Sequence, residues 1–223
     1  MSQKLALSES IWHAAKTRGF LVVSMMCTLL AATCVLSSRA LAQEQISSYN
    51  YGYFVNANTP GIPEAHMYVV NPGSTGGTSP GGDLCANVYV FATDQQMLEC
   101  CSCKVTPDGM RTFGVNTNLT NNPLLPNAPH SGVIKIVSSA VPTSISSFGA
   151  PGSCKSAAGT TYAAYGYLGT WVTHVNDAHQ LSVSETHFLA GFLSTTELAN
   201  LQNICNFIQT SGTAIGLCSC GSE

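Results

Sequence analysis

Charged side chains are scarce in this sequence: Asp, Glu, Lys and Arg make up 9% of its 223 residues. Beyond residue 42 only Lys104, Arg111, Lys135 and Lys155 are basic, against ten acidic residues, so the formal charge there is 4 − 10 = −6. Nucleic acids and anionic membrane surfaces both select basic patches. We therefore predict no nucleic-acid partner. The 45% hydrophobic content is too high for a disordered chain.

Catalytic and cofactor motifs are scarce. The sequence has no H-E-x-x-H, no phosphate-binding glycine loop and no C-x-x-C-H. Its single G-x-S-x-G match, at 77–81, lies in a glycine-rich connection between two predicted strands and not at a strand-to-helix turn. Four carboxylates, Asp83, Asp94, Glu99 and Asp108, stand singly, and nothing brings two of them together as glycoside hydrolysis requires. We predict no cofactor and favour a protein that is not an enzyme. A hydrolase with an unfamiliar motif is the alternative.

The first 42 residues have the pattern of an export signal. Lys4, Lys16 and Arg18 give a positive end, residues 20–36 are uncharged, and Ala-Leu-Ala at 40–42 supplies a cleavage site. An uncleaved anchor is the alternative, but 17 residues are at the lower limit for a ~30 Å hydrocarbon core. We predict cleavage, no membrane span afterwards, and an extracellular, periplasmic or cell-envelope location.

Removal of that segment leaves 223 − 42 = 181 residues, a length typical of one domain with a buried core. This domain, residues 43–223, has an even number of cysteines, which in an exported chain indicates disulfides. Eight cysteines allow 105 pairings, and the sequence does not choose among them. The predicted disulfide residues are Cys85, Cys100, Cys101, Cys103, Cys154, Cys205, Cys218 and Cys220.

Two cysteine clusters leave a second interpretation open. Residues two apart in a strand share a face, so Cys101 and Cys103 point the same way. With Cys218 and Cys220 they supply the four thiolates of a structural zinc site, or of a copper(I) site. We treat this metal-binding or redox module as the alternative to disulfides, because C-x-C is an unusual zinc spacing and export favours oxidation.

A group of polar side chains late in the chain includes metal ligands and general bases. His174, Asp177 and His179 can meet if residues 173–189 form a hairpin. His187 is about eight residues from the turn, or more than ~20 Å at roughly 3.3 Å per residue, and so does not join them. The simpler interpretation is three polar residues on a solvated turn.

Short apolar segments bounded by Gly, Pro, Asn or Ser predict a mainly β protein. Residues 84–92 are apolar on both faces, which predicts a central strand buried on both sides. In the turn at 106–109, Thr-Pro-Asp-Gly, proline fixes φ and glycine allows a positive φ. Seven or eight strands predict an antiparallel β-sandwich, of which the immunoglobulin fold is one form. The predicted strands are 48–55, 65–70, 84–92, 97–105, 111–117, 133–138, 162–175 and 181–189, of which 162–175 is expected to be bent or split at Gly166 or Gly169.

One helix is predicted over residues 194–210. Ser194 and Glu197 have the spacing of a capping box at its start. One apolar stripe follows, formed by Leu198, Leu201, Cys205 and Ile208. Because Cys205 lies on this stripe, we predict that a disulfide staples the helix to the sheet.

Tyr49, Tyr51 and Tyr53 alternate along one predicted strand and therefore share a face. Such a stripe can stack on sugars, but aromatic stripes more often pack in a core or at an edge. The stripe is the one feature in the sequence that points to a glycan ligand.

The chain resembles a known group of sequences. The resemblance lies in Gly-Asp-Leu-Cys-Ala-Asn-Val-Tyr-Val-Phe at 82–91, Cys-Cys-Ser-Cys at 100–103, Thr-Pro-Asp-Gly at 106–109 and Cys-Ser-Cys-Gly at 218–221. These segments are similar to those of exported bacterial cysteine-rich β proteins with no known function. The resemblance spans about residues 65–221 and implies one exported domain, but no activity, site or ligand.

From these observations we expect an exported β domain that is stabilised by disulfides. Export, low charge, long polar loops and the scarcity of catalytic motifs favour a structural or adhesion role at the cell surface. Its partner is expected to be an extracellular protein or a glycan.

Overall fold

Nine β-strands and one α-helix form from the apolar segments of the part of the chain that the structure describes. The computed structural model describes residues 47–73, 82–125, 127–142, 153–154, 157–159, 161–176, 182–210 and 216–221. The elements are β1 (Ser47–Phe54), β2 (His66–Val70), β3 (Leu84–Ala92), β4 (Met97–Val105), β5 (Met110–Gly114), β6 (Gly132–Ala140), β7 (Gly169–Val175), β8 (Val183–His187), β9 (Leu189–Leu193) and α1 (Thr195–Thr210). The predicted export segment, residues 1–42, lies outside the described residues.

Two antiparallel sheets make up the predicted sandwich, which is confirmed. Sheet A has the order β4-β3-β6-β1-β9, and sheet B has the order β5-β2-β7-β8. The chain passes from sheet B to sheet A at Phe188, whose backbone N–H donates to the carbonyl of Thr170. This strand order differs from the two sheets of an immunoglobulin domain, because β6 lies between β3 and β1.

The central position of β3 explains its apolar sequence. Its inner side chains, such as Val88, pack against Met67 and Val172 of sheet B. On its outer face Tyr89 is fully buried, and its hydroxyl donates to the carbonyl of Ala158. Both faces of β3 are therefore covered, as its sequence predicts.

Helix α1 covers part of the outer face of sheet A. Its buried residues Leu198, Leu201 and Cys205 pack in one cluster with Tyr89 and Val137. A third layer therefore lies on the five-stranded sheet.

The start of α1 forms half of the predicted capping box. The Ser194 hydroxyl accepts a hydrogen bond from the Glu197 N–H at 3.0 Å. The Glu197 carboxylate forms an ion pair with Lys135 at 2.7 Å, in place of the return bond that a full capping box makes. The cap therefore also links the helix to sheet A.

Four local predictions differ from the structure. Residues 115–117, predicted as strand, belong to a π-helical turn over Val115–Leu119. Residues 162–168, predicted as strand, precede β7, which begins at Gly169, one of the two positions where a bend or split was predicted. Strand β9 is a separate strand that the sequence did not predict. In the turn at 106–109, Asp108 has the positive φ, 59°, that glycine was expected to adopt. No helix among the described residues is long and apolar enough to cross a membrane.

Candidate functional site

The eight predicted disulfide cysteines pair with one another. The pairs are Cys85–Cys154, Cys100–Cys205, Cys101–Cys218 and Cys103–Cys220, with Cα–Cα distances from 5.1 to 5.9 Å. Three pairs begin on β4, where alternate residues face opposite ways. Cys100 therefore meets helix α1, while Cys101 and Cys103 meet residues 216–221, which we call the C-terminal tail. The predicted staple at Cys205 is confirmed.

The tetrathiolate site does not form. Cys101 is bonded to Cys218 and Cys103 to Cys220, whereas the sulfurs of Cys101 and Cys103 lie 3.9 Å apart. A zinc site needs four thiolates around one centre, and these sulfurs are joined in pairs. Within the described part of the chain, no group of three or more His, Cys, Asp or Glu residues is placed to hold a metal ion.

His174 lies in β7 and is buried, which corrects its placement on a solvated turn. Its Nε2 is 3.1 Å from the Thr186 hydroxyl, and its ring stacks on Tyr53 with the centroids 4.7 Å apart. Burial lowers the pKa of His174, because desolvation penalises the charged form of the ring. Its predicted companions Asp177 and His179 lie outside the described residues.

The four single carboxylates have different surroundings. Asp83 forms an ion pair with Lys104 at 2.8 Å, and Asp94 accepts a hydrogen bond from the backbone N–H of Gln96. Asp108 lies in the turn before β5. Glu99, in contrast, is fully buried.

Glu99 is the carboxylate that the sequence failed to distinguish. Its side chain is fully buried, and among the described residues no donor meets either oxygen with good hydrogen-bond geometry. This desolvation raises the pKa of Glu99 from 4.5 to about 7, opposed by the nearby backbone N–H groups of Asn122 and Asn121. Full burial keeps the carboxyl away from substrates, so we assign it an effect on stability.

The tyrosine stripe lies beside the helix on the outer face of sheet A. The rings of Tyr49 and Tyr51 are 5.6 Å apart, and the Tyr49 ring covers Gly191, where a Cβ atom would overlap it. These two rings are partly buried, whereas Tyr53 is about half exposed. Tyr53 is therefore the most accessible ring of the stripe, although one face of it stacks on His174.

An open groove lies between helix α1 and the uncovered end of sheet A, and we call it the helix groove. Its volume is about 600 Å³, within the range of small-molecule sites. Strands β1, β3 and β6 and the segments beside them form one wall, and the helix forms the other. The residues that define it are Tyr53, Phe54, Phe91, Thr93, Gln95, Ser131, Val133, Lys135, Glu197, Asn200, Leu201 and Ile204.

The charges in the helix groove cancel. Lys135 forms the ion pair with Glu197, and its ammonium group lies 5.3 Å from the ring centroid of Phe91 and 6.0 Å from that of Tyr49. The ammonium group is therefore held by one carboxylate and two aromatic rings. The groove offers apolar surface, neutral hydrogen-bonding groups and no net charge.

Gly132 allows close packing beside the groove. A Cβ atom at this position would overlap the carbonyl oxygen of Phe91 and the ring of Phe54. Glycine therefore allows β6 to lie against both residues at the mouth of the groove.

The polar groups of the groove are few. Thr93 and Ser131 supply hydroxyl groups, but the described lining residues include no His or Cys. Sequence reasoning missed this site because its walls come from segments far apart in the chain. The alternation of outward Val133 and Lys135 with inward Ile134 was the available signal.

The fold and the groove together define a disulfide-linked, two-sheet β-sandwich with a ligand-sized cleft beside one helix. No protein-family model, no curated protein and no solved structure matches this chain.

Proposed function

We propose that this protein is an exported, non-enzymatic binding domain of adhesion type, which holds an uncharged amphipathic ligand in the helix groove. The observation that carries the proposal is an open, mainly apolar groove whose two charged side chains neutralise each other. Four disulfides support an oxidising location outside the cytoplasm.

The expected ligand has an apolar body and a few hydroxyl or amide groups. Tyr53, Phe91 and Val133 offer apolar contact, and Gln95 and Asn200 offer neutral hydrogen bonds. A charged ligand would have to compete with the existing ion pair for one of its members. An acyl or aryl group on a surface glycan, or an apolar segment of an extracellular protein, has the required chemistry.

Replacing Val133 by Glu tests the groove. Val133 is 39% exposed, so the carboxylate is tolerated by the fold but adds a negative charge that the Lys135–Glu197 pair does not balance. Using Nile red, a neutral apolar dye, we expect saturable fluorescence with the natural chain and about tenfold or weaker binding to V133E. The matched control is V183E, because Val183 is 52% exposed on β8, away from the groove. Equal binding by all three chains contradicts the proposal.

Replacing Glu197 by Gln tests the charge balance. The backbone N–H at position 197 still donates to Ser194, and glutamine suits this helix position, so the cap is retained. The ammonium group of Lys135 loses its carboxylate, and we expect the groove to gain about tenfold in affinity for decanoate relative to decanol, measured by dye displacement. A natural chain that already prefers decanoate overturns the inference of an uncharged ligand.

A further inference from the structure

Strand β9 forms an edge of sheet A and lacks the usual features that protect a sheet edge. It spans Leu189–Leu193, with the sequence Leu-Ala-Gly-Phe-Leu, and β1 is its one partner among the described strands. It contains no charged residue and no proline. Proteins usually protect a sheet edge with charges, proline, bulges or a covering segment, because unpaired backbone groups recruit other strands.

The other described edges carry such protection. The outer side of β4 is covered by the C-terminal tail: Cys100 N–H donates to the Gly216 carbonyl, and Cys218 N–H donates to the Cys100 carbonyl. Two disulfides fix this cover in place. In sheet B, the edge strand β5 contains Arg111, and the edge strand β8 contains Glu185. Sheet A therefore has one closed edge and one that lacks the usual protection.

Two large apolar side chains on β9 face solvent. Phe192 is 80% exposed and Leu189 is 61% exposed. They stand an odd number of positions apart, so they lie on opposite faces of the sheet. An added strand would therefore gain apolar contact on both faces as well as backbone hydrogen bonds.

We infer that β9 pairs antiparallel with β9 of a second copy of this chain, about a two-fold axis at Gly191. In this register Leu189 lies opposite Leu193, and the large Phe192 lies opposite the small Ala190. The strand is therefore complementary to itself. Its lack of charge also lets two acidic chains meet without like charges at the seam. The two five-stranded sheets would join into one of 5 + 5 = 10 strands.

A five-residue strand makes a small interface, so the dimer forms at micromolar concentrations and is concentration dependent. Sedimentation velocity on the disulfide-bonded protein, from about 1 to 300 µM, covers the relevant affinities. We expect a shift from the mass of one chain to twice that mass over this range.

The variants F192K and L189K each introduce a positive charge on β9. Both replace exposed side chains, so the fold of the monomer should be retained. Each is expected to weaken the dimer about tenfold or more. The matched control is F207K, since Phe207 is 70% exposed on α1 and carries the same apolar ring outside the seam. F207K should dimerise like the natural chain.

Hydrogen exchange locates the seam. We expect amides of Leu189–Leu193 to become protected as the natural chain dimerises and to stay unprotected in F192K at the same concentration. A natural chain that remains monomeric throughout, or an F192K variant that dimerises as strongly as F207K, overturns the inference. Nile red binding to F192K reports on the helix groove separately, so failure of the dimer and failure of the proposed function are distinguishable.

Discussion

Replacing Cys85 and Cys154 together by alanine is expected to lower the free energy of unfolding by about 4 kcal/mol, the largest loss among the four disulfides. The two residues are 69 positions apart. The other disulfides do not constrain this same loop in the unfolded chain. Removal of the Cys85–Cys154 bond therefore restores the conformational freedom of nearly all 69 positions. Alanine is chosen over serine because both cysteines are buried, and a serine hydroxyl group would be buried with them.

The other three disulfides overlap, so each adds less than its sequence separation suggests. Cys100–Cys205 and Cys101–Cys218 have separations of 105 and 117. With Cys101–Cys218 intact, however, Cys100–Cys205 closes an extra loop of only 1 + 13 = 14 residues, which is worth about 3 kcal/mol. Cys103–Cys220 closes an extra loop of 2 + 2 = 4 residues in the same way, and we expect about 2 kcal/mol.

Guanidinium unfolding of the three double-alanine variants, without reductant, measures this order. The expected ranking of the losses is the Cys85 pair first, the Cys100 pair second and the Cys103 pair last. The three variants serve as controls for one another, because each removes two sulfurs and one bond. If the losses in the free energy of unfolding instead increase with sequence separation, so that the Cys85 pair gives the smallest loss, the explanation from overlapping loops is wrong.

Replacing Glu99 by Gln is expected to stabilise the protein by about 3 kcal/mol at pH 7. The pKa of Glu99 is about 7 in the folded protein against 4.5 for an exposed glutamate. Below pH 4.5 the carboxyl is protonated in both states, so it imposes no penalty. Between pH 4.5 and 7 the unfolded chain ionises freely while the buried carboxyl does not, and stability falls. Above pH 7 the penalty is complete and constant.

The pH dependence of unfolding checks this sign. We expect the natural chain to lose stability relative to E99Q from pH 4.5 to 7 and to run parallel to it above pH 7. The matched control is E185Q, since Glu185 is exposed on β8. If the natural chain and E99Q respond alike across this range, the buried carboxyl does not have the environment described.

The sequence predicted the central strands well because their signals are local. Residues 84–92 and 97–105 match β3 and β4 at both ends, where turn residues stop each apolar run. β9 was missed because it follows Phe188 directly, with no turn residue to mark the passage from sheet B to sheet A. The π-helical turn after β5 was missed because its sequence, Val-Asn-Thr-Asn-Leu, begins like a strand.

The candidate site was less predictable. Strand alternation correctly separated Cys100 from Cys101 and Cys103, but it could not select partners among 105 pairings. The helix groove depends on where α1 lies on sheet A, and neither the capping residues nor the apolar stripe of the helix carries that information. Glu99 looked like an ordinary polar residue because full burial is a property of the assembled sandwich.

The C-terminal tail has a mechanical consequence. If the folded domain is pulled between its first strand and the tail, tension passes from Cys103 directly to Cys220 and bypasses the 117-residue separation between them. Helix α1 and the whole of sheet B except β2 lie in the bypassed segment, whereas β1 and β3 lie in the loaded one. Load on the oxidised domain would therefore act on β1 and β3 in the sheet wall of the groove, whereas β6 and the helix wall lie outside the load path. Reduction would let the entire length extend.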